Sequence, residues 1–152
     1  MKPLAVATNH VGQRTNSKLY EHIVGVYRLL GYALGVNLNS LNLDNPINLV
    51  LMPAVGAGLV NYRIKEVTLN NPSISLTTAQ VGLYTAVAAG GTELVSAQAV
   101  SSLDGVTKDL ALTLAAGATG LVQTANTLYL RNTTAQSAAA TADVYVWGVV
   151  YP

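Results

Sequence analysis

From Val67 to Pro152 the chain carries charge at only Glu93, Asp104, Lys108, Asp109, Arg131 and Asp143, and its short strand-like runs are set in Ala, Thr, Gly and Ser. A soluble monomer normally devotes about a quarter of its residues to charge. Here charged residues make up 10% of the whole chain and hydrophobic residues 51%. So neutral a surface is hard to keep in water alone, so the composition predicts a homo-oligomer. It also predicts β structure, because the apolar positions repeat with a period of two.

Clean alternation appears at Val60, Tyr62 and Ile64 against Asn61, Arg63 and Lys65. That is the signature of a half-buried antiparallel strand. Further strands are predicted over 36–43, 47–52, 59–69, 73–78, 82–87, 92–99, 109–114, 126–133 and 142–150, with a slip at Asn39-Ser40 that suggests a bulge or bend. Asp44-Asn45-Pro46 and Asn70-Asn71-Pro72 read as turns, and Ala89-Gly90-Gly91 and Ala115-Ala116-Gly117 as loop punctuation. About nine short strands with no helix between the later ones predict an all-β, antiparallel β-sandwich of jelly-roll type over 36–152.

The first 35 residues read differently. Residues 1–17 are polar and aperiodic, which predicts an N-terminal arm, disordered in the free protein and ordered on assembly. Leu19, Ile23, Val26, Tyr27, Leu30 and Leu34 then recur at spacings of three and four. That spacing predicts a short helix over 18–34, capped by Ser17 and weakened by Gly25 and Gly31. Aromatic and β-branched content keeps a strand open for the same stretch. Met1 to Asn16 lacks the apolar core of a signal peptide. The window from Ile23 to Leu38 is too short and too interrupted to span a bilayer.

Side-chain chemistry is sparse. With no Cys, the chain has no disulfide, thiol nucleophile or thiolate metal site. His10 lies in the predicted arm, and His22 has only Glu21 beside it, so neither suggests a metal site. Asp104, Lys108 and Asp109 cluster at one turn, where turn capping is the simpler role than cation binding. Ser101-Ser102 and the many Thr have no His partner in the β region to act as base. Gly56-Ala57-Gly58 lacks the Lys-Ser/Thr of a phosphate loop and is followed by a strand. Arg63, Lys65 and Arg131, with Tyr62 and Tyr129 nearby, are too scattered for a nucleic-acid platform, and the net charge of +1 agrees. The best aromatic cluster is Trp147 flanked by Tyr145 and Tyr151, in a chain with eight Tyr and no Phe. Its rings suit a core, an interface or a stacked sugar. These residues predict no catalytic centre, no cofactor and no metal.

Four segments carry a resemblance. They are Asn71–Thr85 (NPSISLTTAQVGLYT), Ala89–Thr92 (AGGT), Thr127–Arg131 (TLYLR) and Thr133–Gly148 (TTAQSAAATADVYVWG). Together they resemble small β-rich virion proteins of tailed bacteriophages, over about Val36 to Pro152. The resemblance implies a virion component made in the host cytoplasm, most simply a head decoration (cement) protein. Such a protein binds the major capsid protein and itself, with a trimer expected by analogy, and contacts neither nucleic acid nor membrane. The alternative it implies is a tail- or fibre-associated receptor-binding module, with Trp147 and the tyrosines on host surface glycan.

Overall fold

The computed structural model describes residues 26–50, 61–104 and 106–151. The arm expected over 1–17, His10, His22 and the loop Gly56–Gly58 lie outside the described residues. Eight strands are seen within them: β1 (Tyr27–Asn37), β2 (Asp44–Asn48), β3 (Asn61–Asn70), β4 (Gln80–Ala86), β5 (Gly90–Ala99), β6 (Asp109–Ala111), β7 (Thr127–Thr134) and β8 (Thr141–Tyr151). One turn of 3₁₀ helix, Ala118–Gly120, is the only helical element among them.

The strands form two four-stranded antiparallel sheets, ordered β1-β8-β3-β6 and β2-β7-β4-β5. The pairing is nested. β4 pairs with β5, β3 with β6, β2 with β7 and β1 with β8, each antiparallel. β8 also pairs with β3, and β7 with β4, which rolls the nested ribbon into two layers. This is the jelly roll.

Between the layers lies one core, which includes Leu30, Ile47, Tyr62, Ile64, Val67, Leu83, Leu94, Leu128, Leu130, Val144 and Val146. Burying a large aliphatic side chain contributes about 1.5–3 kcal/mol, so the alternating strands drive the two sheets together. β8 shows the rule most plainly: Ala142, Val144, Val146, Gly148 and Val150 point inward, and the residues between them point out. Gly148 is required there, since a Cβ would collide with the Arg63 carbonyl oxygen and lie 2.8 Å from Leu30 Cδ1.

The loops over 38–43, 71–79, 100–104, 106–108 and 135–140 are tied to one another by backbone bonds, such as Leu76 N to the Leu103 carbonyl at 2.8 Å and Leu38 N to the Ala140 carbonyl at 2.9 Å, and by side-chain amides. Gln136 Oε1 accepts from the backbone N–H of Thr77, Thr78 and Ala79 at 3.0, 3.1 and 3.3 Å. Asn132 Nδ2 donates to the carbonyls of Asn37 and Ser40 at 2.7 and 2.9 Å. Asn45 accepts from Asn37 N and donates to its carbonyl. These amides replace ladder hydrogen bonds where the chain changes sheets.

Several local expectations are corrected. The helix predicted over 18–34 is strand β1 from Tyr27 onward, and 18–25 lie outside the described residues. Its supposed apolar face is split across the strand: Leu30 is fully buried, whereas Tyr27 is 50% and Leu34 61% exposed. Pairing along β8 outweighs a three-four spacing that is only a local preference. Gly31 confirms the setting, because a Cβ there would sit 2.7 Å from Leu49 Cδ2.

Asp44-Asn45-Pro46 opens β2 instead of forming a turn. β2 is an edge strand, where a proline's missing N–H is tolerated. The strand expected over 36–43 ends at Asn37, and the bend comes at 39–42 with Asn42 at φ 58°. The strand expected over 73–78 is a loop, its N–H groups at Thr77 and Thr78 taken by Gln136. β6 stops at Ala111, short of the predicted Leu114.

Candidate functional site

The outer face of sheet β1-β8-β3-β6 gathers the aromatic residues that the sequence scatters. Tyr145, Trp147 and Tyr151 occupy outward positions of β8. Register then sets their neighbours. One row across the sheet holds Tyr27, Val149 and Arg63; the next holds Leu29, Trp147 and Glu66; the next holds Tyr32, Tyr145 and Thr68.

The rings pack on each other across strands. Tyr27 stacks with Trp147 at a centroid separation of 6.1 Å and an interplanar angle of 7°. Tyr32 stacks with Tyr145 at 6.2 Å and 24°. The Arg63 guanidinium lies over the Tyr151 ring, 5.1 Å from its centroid, a cation–π contact. Tyr27 and Tyr32 remain 50% and 45% exposed at the margin of this face.

Polar groups fix the arrangement. The Tyr27 hydroxyl donates to Glu66 Oε2 at 2.5 Å, so a β1 side chain reaches a β3 side chain across β8. Desolvation, then the hydrogen bond and charge of Glu66, push the Tyr27 phenol up to about 12. Asp143 holds the other end of the face: it accepts from Gly35 N at 2.9 Å and Asn71 Nδ2 at 3.0 Å. Lys65, at the β3 bulge, donates to the Thr119 carbonyl at 3.2 Å.

The opposite outer face is different in kind. β7 presents Thr127, Tyr129, Arg131 and Thr133 there. Arg131 and Asp44 form an ion pair, with Nη1 2.9 and 3.0 Å from the two carboxylate oxygens. Asp44 Oδ2 also accepts from Ala88 N at 2.8 Å, which draws the tip of the β4–β5 hairpin onto the face. Tyr84 lies over Gly82 beneath that tip, and burial, then the Glu93 charge, raise its phenol while Arg131 opposes them.

The remaining candidates fall apart in space. Asp104 caps its own turn, accepting from Val106 N at 2.7 Å and Thr107 N at 2.6 Å, bonds that hold its carboxyl below the usual range. Asp109 is exposed in β6, and the Lys108 carbonyl accepts from Asn71 N. Tyr62 is a core residue, its hydroxyl donating to the Ala125 carbonyl at 2.7 Å and its phenol raised by burial. Arg63 and Arg131 sit on different sheets. Among the described residues, no three His, Cys, Asp or Glu side chains converge to hold a metal ion. No helix among them is long and apolar enough to cross a membrane.

The sequence pointed to Tyr145, Trp147 and Tyr151 but missed Tyr27, Tyr32 and Glu66. The two tyrosines were assigned to a helix, and Glu66 joins the face only through the bulge between Ile64 and Glu66. Among the described residues the edge strands make a few contacts beyond their own ladders. On one side Gly31 bridges Leu49 and Val50 N donates to the Leu30 carbonyl at 2.6 Å. On the other, the Gln98 side chain exchanges two hydrogen bonds with the Thr113 backbone, at 2.9 and 3.0 Å. Comparison of the chain with protein-family models, curated proteins and solved structures finds no match.

Proposed function

We propose that this chain is a structural component of a bacteriophage particle, a head decoration protein that stabilises the assembled capsid through contact area and not through chemistry. The observation that carries the reading is the aromatic outer face of β1-β8-β3, set on a jelly roll. Tyr, Trp and Arg are the side chains enriched at protein interfaces, and the opposite sheet presents a threonine-bearing polar face suited to solvent. The four sequence segments that resemble phage virion proteins supply the setting. The mechanism is passive: surface buried at subunit junctions is lost when the shell opens, so opening costs more.

A glycan-binding role makes a different demand. A pyranose stacks on an open ring face. Here Tyr27 and Trp147, and Tyr32 and Tyr145, are already paired with each other in offset stacks. The assembly reading therefore suits the geometry better.

Quantitative mass spectrometry of purified particles tests it. The expected result is a copy number close to that of the major capsid protein, with loss of heat resistance in particles that lack this chain. Absence from the particle, or the low copy number of a tail component, overturns the reading.

A further inference from the structure

We propose that the occupant of the aromatic face is a second copy of this chain, docked face to face about a two-fold axis. The inference rests on the assembly reading of that face, and it names the partner.

Three observations lead there. The first is charge. Arg63 and Glu66 lie on the same face in adjacent rows, and neither has an ion-pair partner among the described residues. Arg63 Nε is buried without a hydrogen-bond partner among them. One cation and one anion, one row apart, make the face complementary to itself. A two-fold axis in the interface plane, running between these two rows, sets Arg63 of each copy over Glu66 of the other.

The second is shape. The same axis sets the row of Leu29, Trp147 and Glu66 over the row of Tyr27, Val149 and Arg63 of the second copy. The largest side chain of β8 then meets Val149, and the Tyr145 row meets Tyr151. The Trp147 row thus faces a row whose β8 member is the smaller Val149.

The third is extent. β8 has 11 residues, so the face runs roughly 36 Å along the strand and about 14 Å across three strands. Its projected area is thus about 500 Å², to which side-chain relief adds, against roughly 800 Å² per partner in a standard interface. The result is a dimer, in place of the trimer expected by analogy.

The test is sedimentation equilibrium of the full chain at micromolar concentration, with thermal unfolding to show that each variant is folded. Wild type sediments as a dimer. Arg63→Glu and Glu66→Arg each set like charges opposite one another twice, and each weakens the dimer at least about a hundredfold. The double swap, Arg63→Glu with Glu66→Arg, recovers part of the affinity, because it restores the opposed charges but not the Tyr27–Glu66 bond. Should a charge variant fail to fold, Val149→Lys at the centre of the face disrupts the dimer by the same geometry. A monomeric or trimeric wild type, single variants that stay dimeric, or a double swap that dimerises no more tightly than the single variants overturns the proposal. The two readings separate cleanly. A monomer found at high copy number on particles sinks this inference alone, and a dimer absent from particles sinks the decoration reading alone.

Discussion

The Tyr27 hydroxyl and the Glu66 carboxylate meet at 2.5 Å above β8, joining the two strands that flank it. A bond this short, with an ionised acceptor, belongs to the stronger class of protein hydrogen bonds. It holds the Tyr27 ring parallel to Trp147 and so keeps the aromatic face in order.

Alkaline pH should loosen this bond. The Tyr27 phenol ionises near pH 10 in the unfolded chain, and in the folded protein its value is raised to about 12. The folded state therefore holds the proton more tightly. Its stabilisation is complete below about pH 10 and is lost as pH rises towards about 12. Tyr62, raised by burial in the core, adds to the same loss. Urea midpoints should fall between about pH 9 and about pH 11, and Tyr27→Phe should make that fall smaller without abolishing it. An equal fall in the variant would show that the Tyr27–Glu66 bond contributes nothing.

Gln136 supports the loop end of the sandwich from one oxygen. Gln136→Ala leaves the N–H groups of Thr77, Thr78 and Ala79 without their acceptor. The expected cost is roughly 3 kcal/mol in urea unfolding. Gln136→Glu should cost less at neutral pH, because a carboxylate is a stronger acceptor for the same donors. Those donors favour the ionised form, so part of its advantage over Ala should be lost as pH falls below about 4, the carbonyl oxygen of the acid remaining as acceptor. Equal stability of the Ala and Glu variants at neutral pH would contradict this account.

The Asp44–Arg131 pair is half-shielded, with side-chain exposures of 18% and 15%. Asp44→Ala removes the pair and the acceptor for Ala88 N together. The loss should be about 1–2 kcal/mol, more than an exposed ion pair contributes. Hydrogen exchange should show the Ala88 amide losing protection first. Unchanged protection at Ala88 would mean that the hairpin tip is held by other contacts.

Gly148→Ala should be among the most damaging single substitutions. Its Cβ meets the backbone of β3, which cannot rotate away as a side-chain end can. Separating β8 from β3 there should cost more than about 3 kcal/mol, in the range of overpacked cores. A variant that melts within a few degrees of wild type would show that the strands can spread cheaply.

What the sequence disclosed followed the range of the interaction. β8 and β3 were legible because Val144, Val146, Tyr62 and Ile64 alternate with outward residues, and alternation is a local signal. β1 was not, since Leu30 and Leu34 lie four apart as on a helix and only the β8 pairing shows them on opposite faces. Asp44-Asn45-Pro46 has turn chemistry that an edge strand can also tolerate. In the candidate site, Trp147 and its β8 neighbours stood out as an aromatic cluster. Tyr27 and Glu66 became visible as their partners only through register, which is set by contacts distant in sequence.

The nested pairing also dictates an order of events. The β4–β5 hairpin joins neighbours in sequence, whereas β1 must find β8 almost at the far end of the chain. Contacts of such long separation slow folding, because the loop between them has to be closed before it is rewarded. Folding should thus run from the hairpin outward and finish with β8 entering between β1 and β3. On the ribosome, sheet β1-β8-β3-β6 has no middle until β8 has emerged. A chain cut before Thr141 would leave β1 and β3 with bare edges facing each other across the gap.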